Sequence, residues 1–397
     1  MKLTIAMWVL VFTSYSLTAQ SYHFKSGFER TTVLRQYELN GKSNQKYADL
    51  YGMDQITGYD WQRDLDDDQR IGNFRIYYEF GDTTKAKASI VPDPVNHGNR
   101  VLKFQLNAPN VPNSAKPKGR VQAAINGNNN LKAFAFRIRL FISPDIDLFR
   151  QYAKDISWFT LMEFWNNEAN KDFPFRITLN IQKPDEEVGS PLYFGAHGQT
   201  RISKGKWQNV WAEVSRGYPL PVGEWLLFES YFQEGDALSG RYKVTVTDAR
   251  GVKHLLFDIS DYTHHPDDPH PDGVTAFNPM KLYTSGVLID RLANANAELS
   301  VFWDDFEFWT DSIPVGVNNA SDMDIRISPN PCRAALKIQG HSNVKSFCIY
   351  DMNGHVIRQF VGALPHYIDT KDLCPGMYYI QITSHAQTLS THKFLKL

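Results

Sequence analysis

Cysteine is almost missing from this 397-residue chain: there are three, Cys332, Cys348 and Cys374, and all fall near the C-terminus. The long region before them has none. No disulfide framework holds that region, even in a compartment that would permit one, and no cysteine nucleophile acts there. Excess charge is missing too. The 42 Lys and Arg offset 43 Asp and Glu for a formal net charge of -1, so the chain lacks the basic balance that nucleic acid or an anionic membrane surface asks for. Any polyanionic ligand must be met by local charge. Long apolar runs are also lacking, since the most continuous one, Ile5 to Phe12, falls short of the roughly 18 to 20 residues of a membrane span. Helical periodicity is scarce, and no internal repeat is visible.

That short N-terminal run has the form of a secretory signal. Lys2 gives a positive start, and Leu17, Thr18 and Ala19 close it with a small residue at the end, which predicts cleavage after Ala19 and a mature chain with no membrane span. A retained N-terminal anchor is the alternative. With 42% hydrophobic and 13% aromatic residues, the remainder has material for one large core plus a smaller module.

Strand patterns dominate residues 22–311. The segments RVLKFQL from Arg100, FAFRIRLFI from Phe134, WFTLMEFW from Trp158, FRITLNIQ from Phe175 and RYKVTVT from Arg241 are rich in β-branched and aromatic residues and alternate in polarity. Gly, Pro, Asn and Asp clusters separate them. One short helix is expected in PDIDLFRQYAKDI, where Ser143 caps and Pro144 takes the first position. Many short-spaced strands in one region predict an all-β, two-sheet jelly-roll sandwich with a groove on its curved sheet. The segment DSIPVGVNNASDMD from Asp311 loses this pattern, and residues 312–324 read as a linker. In residues 325–397 short strands return, with the composition of a small β-sandwich.

Four pieces recur in that last segment in fixed order: ISPNPCRAALKI from Ile327, FCIYDMNGHVI from Phe347, IDTKDLCPGMYYIQI from Ile368 and a terminal HKFLKL. Asn353-Gly354 suits a hairpin turn, and Gly376 a close entry into the next strand. Together the pieces resemble the C-terminal sorting domain of the type IX secretion system. The resemblance implies a chain, with the type IX machinery as partner, that is exported through the outer membrane and is secreted or cell-surface.

The central region offers GFE from Gly27, GNRVLKF from Gly98, KGRVQA from Lys118, MEFWNN from Met162, KGKW before Trp207, GEW from Gly223, MKLYTSG from Met280 and WDDFEFW from Trp303. Their order resembles that in jelly-roll (concanavalin A-like) polysaccharide lyases and glycanases. By alternation Arg176, Thr178, Asn180 and Gln182 share one strand face. A polar row among aromatics suits a glycan, because sugars present hydroxyls to polar groups and ring faces to aromatics; a solvated sheet face is the bland alternative. The same alternation pairs Arg120 with Gln122, Tyr193 with His197 and Gln199, and Lys281 with Tyr283 and Ser285.

The resemblance to jelly-roll alginate and heparin lyases implies β-elimination on a uronic-acid polysaccharide. Tyr283 or Tyr193 then serves as acid and base, His197 as base, and Arg120 and Arg176 as carboxylate partners, with Gln122, Asn180, Tyr193, Lys281 and Trp165 in the substrate groove. Arg120-Val121-Gln122 departs from the alginate-lyase Arg-x-Glu, and Glu163-Phe164-Trp165 from Gln-x-His.

Glu163 opens a second reading. A carboxyl in an apolar central strand is expected to have a raised pKa, like a glycosidase general acid, with Glu213 or Glu229 as the second carboxylate; pairing with Arg137, Arg139 or Arg176 is the structural alternative. A non-catalytic glycan-binding protein using the same groove is the third reading. Glu29 with Asp304 and Asp305 resembles the structural calcium site of lectin-like sandwiches. The His- and Asp-rich loop from Thr263 to Gly273 and the acids at Asp64, Asp66, Asp67 and Asp68 read as loops. No organic cofactor is implied.

Overall fold

The computed structural model describes residues 23–29, 31–38, 46–55, 57–66, 73–78, 84–111, 116–168, 171–203, 206–310, 326–339, 344–351, 356–361, 367–384 and 389–397. The expected signal (1–19), the expected linker (312–324) and the Asn353-Gly354 turn lie outside them. No described helix is long and apolar enough to cross a membrane.

In chain order the strands of the larger region are β1 (His23–Ser26), β2 (Val33–Glu38), β3 (Lys46–Tyr51), β4 (Asn73–Tyr78), β5 (Ala86–Pro92), β6 (Arg100–Leu106), β7 (Lys118–Leu131), β8 (Ala133–Ile142), β9 (Thr160–Asn166), β10 (Phe175–Gln182), β11 (Tyr193–Ser203), β12 (Lys206–Pro219), β13 (Trp225–Gln233), β14 (Arg241–Thr247), β15 (Lys253–Ser260), β16 (Val274–Ser285) and β17 (Leu299–Thr310). They form two antiparallel sheets. One runs β15-β14-β13-β8-β17-β6-β5 with β1 also on β17, and the other runs β12-β11-β10-β9-β16-β7-β4-β3-β2. Consecutive strands pair toward the edges, while the central pairs β13-β8, β8-β17, β17-β6, β9-β16, β16-β7 and β7-β4 join strands distant in sequence, the wiring of a jelly-roll sandwich.

Alternation along the strands explains how the sheets stack. On β10 Phe175, Ile177, Leu179 and Ile181 are buried in one core. Facing them from the other sheet, Phe134 and Phe136 of β8 lie 5.2 Å, ring to ring, from Phe277 of β16. Phe164 of β9 also stacks on Phe277 at 5.2 Å. Each such phenylalanine contributes about 1.5 to 3 kcal/mol by leaving water, and its ring pairs add to that.

The short helix after Ser143 forms as a 3-10 helix over Pro144–Gln151, ending before the expected stretch does, with Ser143 Oγ accepting from Asp145 N. An α-helix, α1 (Gly286–Asn294), was not anticipated from the sequence. Ser285 caps it, and Leu288, Ile289 and Leu292 lie on its buried face; so short an apolar face directly after strand β16 does not stand out as a period.

The C-terminal segment contains β18 (Arg326–Ser328), β19 (Ala335–Gln339), β20 (Val344–Tyr350), β21 (Val356–Val361), β22 (Tyr367–Asp369), β23 (Gly376–Ser384) and β24 (Leu389–Lys396). They pair as a three-stranded sheet, β18-β19-β22, and a four-stranded sheet, β21-β20-β23-β24. Leu336, Ile338, Phe347, Ile349, Ile380, Ile382 and Phe394 fill a core of their own, as a small β-sandwich requires. All three cysteines are free.

Candidate functional site

The polar row lies on the outer face of the nine-stranded sheet. Register places it: Thr178 of β10 pairs with His197 of β11 and with Glu163 of β9, while on the other limb Lys281 of β16 pairs with Gln122 of β7, and Tyr283 with Arg120. Side chains opposite one another on adjacent strands share a face, so these residues line one surface.

Glu163 is the hub of the floor. Its side chain is 3% exposed and that of Lys281 1%. Lys281 Nζ donates to one carboxylate oxygen, and Arg176 Nη1 donates to the other at 3.1 Å. Burial alone would raise the pKa of Glu163, but Lys281 and Arg176 outweigh it and hold it at about 2. This is opposite in direction to the rise expected of a buried carboxyl. Burial lowers Lys281 to about 8, Glu163 opposing and Arg120 adding to the fall. Glu229 lies on β13 of the other sheet, bonded to Lys253, and Glu213 is exposed on β12 beside Ala196. Neither stands beside Glu163.

Around Tyr283 the face turns cationic. Lys281 Nζ lies 5.2 Å from the ring centroid, the Arg120 guanidinium 5.4 Å and Lys118 Nζ 5.9 Å. Trp158 packs against the same ring at 5.0 Å. Gln122 Oε1 is buried and has no hydrogen-bond partner among the described residues, so the floor here presents an unused acceptor between cations. Among the described residues, four cations, Lys118, Arg120, Arg176 and Lys281, thus stand around the Glu163 carboxylate, an arrangement that attracts an anion.

Beyond Glu163 the outer face becomes aromatic. Arg176 lies over Trp207 at 4.0 Å and over Trp165 at 5.7 Å, and the two indoles meet edge to face at 5.4 Å. Arg176 Nε also donates to Gln199 Oε1 at 2.9 Å. His197 contacts Gln182 Nε2 at 2.7 Å. A Cβ at Gly195 would fall about on the Gln182 amide, its nearest atom 2.3 Å away, so glycine there leaves Gln182 room to reach the imidazole. Burial, aided by the Arg176 charge, lowers His197 to about 4, which keeps it neutral at ordinary pH.

The structure therefore brings Glu163, Arg176, Lys281, Arg120, Gln122, Tyr283 and Trp165 into one continuous surface. It leaves His197 apart from Tyr283: their strands, β11 and β16, are three intervals apart, roughly 14 Å at about 4.8 Å per strand. Tyr193 sits further along β11 under Arg216. Asn180 is 1% exposed and bonded within the sheet, accepting from Thr160 at 2.9 Å and donating to Thr178 at 2.8 Å. Lys118, Trp158 and Trp207 were not singled out from the sequence, whereas Gln182 belongs to the polar row that alternation gave. Lys118 had a signal, since the alternation that selects Arg120 and Gln122 extends back to it.

On the other sheet β17 is irregular between Asp304 and Glu307, and Asp305 takes a left-handed backbone at φ 49°. This turns adjacent carboxylates toward one spot. Oxygens of Glu29, Asp304 and Asp305 lie within 4.8 Å of one another. Burial and the charges of Asp305 and Glu29 push Asp304 up to about 8, against a hydrogen bond from Asn99, and Glu29 Oε2 is buried with no hydrogen-bond partner among the described residues. Arg139 answers part of this charge, 3.6 Å from Asp304 and 3.5 Å from Asp305. An all-oxygen cluster with an unused buried oxygen fits a hard divalent cation such as calcium. In the loop Thr263–Gly273, His264 contacts the carbonyl of His265 and Asp268 accepts from Asn167.

Among solved structures, the chain resembles an endo-β-1,4-glucuronan lyase from the fungus Trichoderma reesei at 14% identity, covering 57% of this chain and 87% of that one with a TM-score of 0.36. It also resembles a marine alginate lyase from Aplysia kurodai at 8% identity, 71% and 100% coverage and a TM-score of 0.39. The catalytic domain of a glycoside hydrolase family 131 protein from Coprinopsis cinerea shows 10% identity, 55% and 76% coverage and a TM-score of 0.29. At such values the likeness carries no argument about chemistry, which rests on the side chains. No curated protein matches the chain. The family model of the secretion system C-terminal sorting domain matches residues 326–396, so the chain carries a sorting domain that marks it for export by type IX secretion to the cell surface or the extracellular space.

Proposed function

We propose that the protein is a secreted polysaccharide lyase that cleaves a uronic-acid polymer by β-elimination in the groove of the nine-stranded sheet. The observation that carries this reading is the set of three cations, Lys118, Arg120 and Lys281, gathered within 6 Å of the Tyr283 ring. In β-elimination the proton beside the uronate carboxylate is removed, its electron pair forms the ring double bond, and the glycosidic bond breaks. The leaving oxygen takes up a proton. The step needs positive charge at the carboxylate, where negative charge develops, and a proton-transfer group beside the scissile bond.

Arg120 and Lys281 supply that charge and Gln122 a neutral donor. The Tyr283 oxygen takes up the proton beside the carboxylate as its own hydroxyl proton passes to the leaving oxygen, so that the tyrosine ends the step as it began. His197, three strands away and neutral, contacts a sugar about three units along the chain rather than the same bond. Trp165, Trp207 and Arg176 accept the ring face and carboxylate of a further unit. Glu163 works through its neighbours: ionised at any ordinary pH, it has no proton to give a leaving group, and it orients Lys281 and Arg176. For that reason lysis stands ahead of hydrolysis. A calcium ion held by Glu29, Asp304 and Asp305 would tie the start of the domain to β17, as a structural element remote from the groove.

The test is to incubate the full chain with uronic-acid polysaccharides and follow both ultraviolet absorbance of unsaturated uronate and new reducing ends. Absorbance with reducing ends is the expected result. Reducing ends without absorbance would make the protein a hydrolase, and retention on the polymer with neither would leave a binding protein.

A further inference from the structure

The groove face does not stop at β7. Gln122 pairs across to Tyr77 of β4, and Tyr77 pairs with Tyr47 of β3. The row that includes Lys281 and Gln122 therefore continues as two tyrosines on the same face, their rings 5.1 Å apart and inclined at 38°. Both are half-buried. Arg120 links the two regions, its guanidinium 5.7 Å from the Tyr77 ring and 5.4 Å from the Tyr283 ring. Two residues along each strand, Arg75 and Asp49 share this face, and the Arg75 charge counters the burial that raises Asp49 to about 6.

We infer that Tyr47 and Tyr77 form a distal sugar-stacking subsite for the uronate polymer, with Arg75 as its cation, and that the enzyme cuts inside chains rather than from their ends. The inference rests on the lyase reading of the groove. From β16, which carries Tyr283, to β3 there are three strand intervals, roughly 14 Å at about 4.8 Å each, or about three pyranose units. From β3 to β12, where Trp207 makes the opposite aromatic platform, there are seven, roughly 34 Å and room for about six or seven units. Paired rings offer an apolar sugar face a surface without asking it for a charge. Two aromatic platforms on either side of the cationic centre hold a chain that extends past the scissile bond in both directions.

The experiment uses the full chain with saturated oligomannuronates, oligoguluronates and oligoglucuronates of two to eight units, reading kcat/KM by unsaturated product and affinity by tryptophan fluorescence. For the unaltered protein kcat/KM should climb with length up to six units or so. Tyr47→Ala should lower it about tenfold on six units and longer, leave three units unchanged, and be rescued by Tyr47→Phe, which keeps the ring. Tyr47→Leu repeats the comparison should the alanine variant fold poorly. A rate that is flat with length in the unaltered protein, or an equal loss at every length in the variant, overturns the subsite while leaving the lyase reading intact. Absence of product at every length, with an affinity that still climbs with length and falls in Tyr47→Ala, keeps the subsite and overturns the lyase. Neither product nor binding at any length overturns both.

Discussion

In Glu163→Gln the carboxylate shared by Lys281 and Arg176 becomes a neutral amide of nearly the same shape, so two cations on the groove floor lose their counter-charge while packing is kept. The Lys281 side chain is 1% exposed and that of Arg176 20%, and water replaces little of what is lost. Removing one partner of a buried pair costs about 3 to 5 kcal/mol. The lower end applies here, because Lys281 already sits at about 8 and sheds its proton more readily once Glu163 is neutral. A loss of about 3 kcal/mol corresponds to a fall in Tm of roughly 5 °C for a domain this large. Urea denaturation followed by tryptophan fluorescence measures it directly.

The pH dependence has a defined sign. Glu163 is depressed from 4.5 to about 2, so its stabilising contribution is complete above 4.5 and is lost as pH falls through about 2. The gap between the two proteins should be full near neutrality and close between those values. Replacing Glu163 and Lys281 together by methionine removes both charges and should recover most of the loss. A single variant within about 1 kcal/mol of the unaltered protein, or a double variant worse than the single, would refute the ion-pair account.

Two further outcomes follow from the site. Calcium should raise the Tm of the unaltered protein, and chelation should lower it again, whereas Asp304→Asn should respond to neither; differential scanning calorimetry would decide, and equal responses would remove the cation from Glu29, Asp304 and Asp305. On the lyase reading, kcat/KM should fall as pH rises through about 8 because Lys281 loses the charge that meets the carboxylate. A steady-state pH profile that stays level well beyond that value would take Lys281 out of the mechanism.

Much of the architecture was legible because it is local. The alternation in FRITLNIQ and in the segment from Arg100 maps onto β10 and β6 with the expected ends, since one buried face leaves a period of two in the sequence. The sorting segment was legible from ordered motifs. What alternation could not give was which strands are neighbours. Glu163 and Lys281 are 118 positions apart, and only the β9–β16 pairing makes them partners, which reverses the expected direction of the Glu163 pKa. The same limit applied to His197 and Tyr283: each faces the groove, but strand order separates them. Trp207 was hidden because its meaning comes from Arg176 and Trp165 on other strands. Helix α1 was hidden because its short apolar face follows a strand without a break in composition.

The most direct test of the central claim is the ultraviolet absorbance of unsaturated uronate released from a uronic-acid polymer by the full chain and by Tyr283→Phe, with equal stability of the two proteins established first. Absorbance from the unaltered protein and its near-complete loss in the variant, with polymer binding retained, is the expected result. Undiminished absorbance from Tyr283→Phe would contradict it.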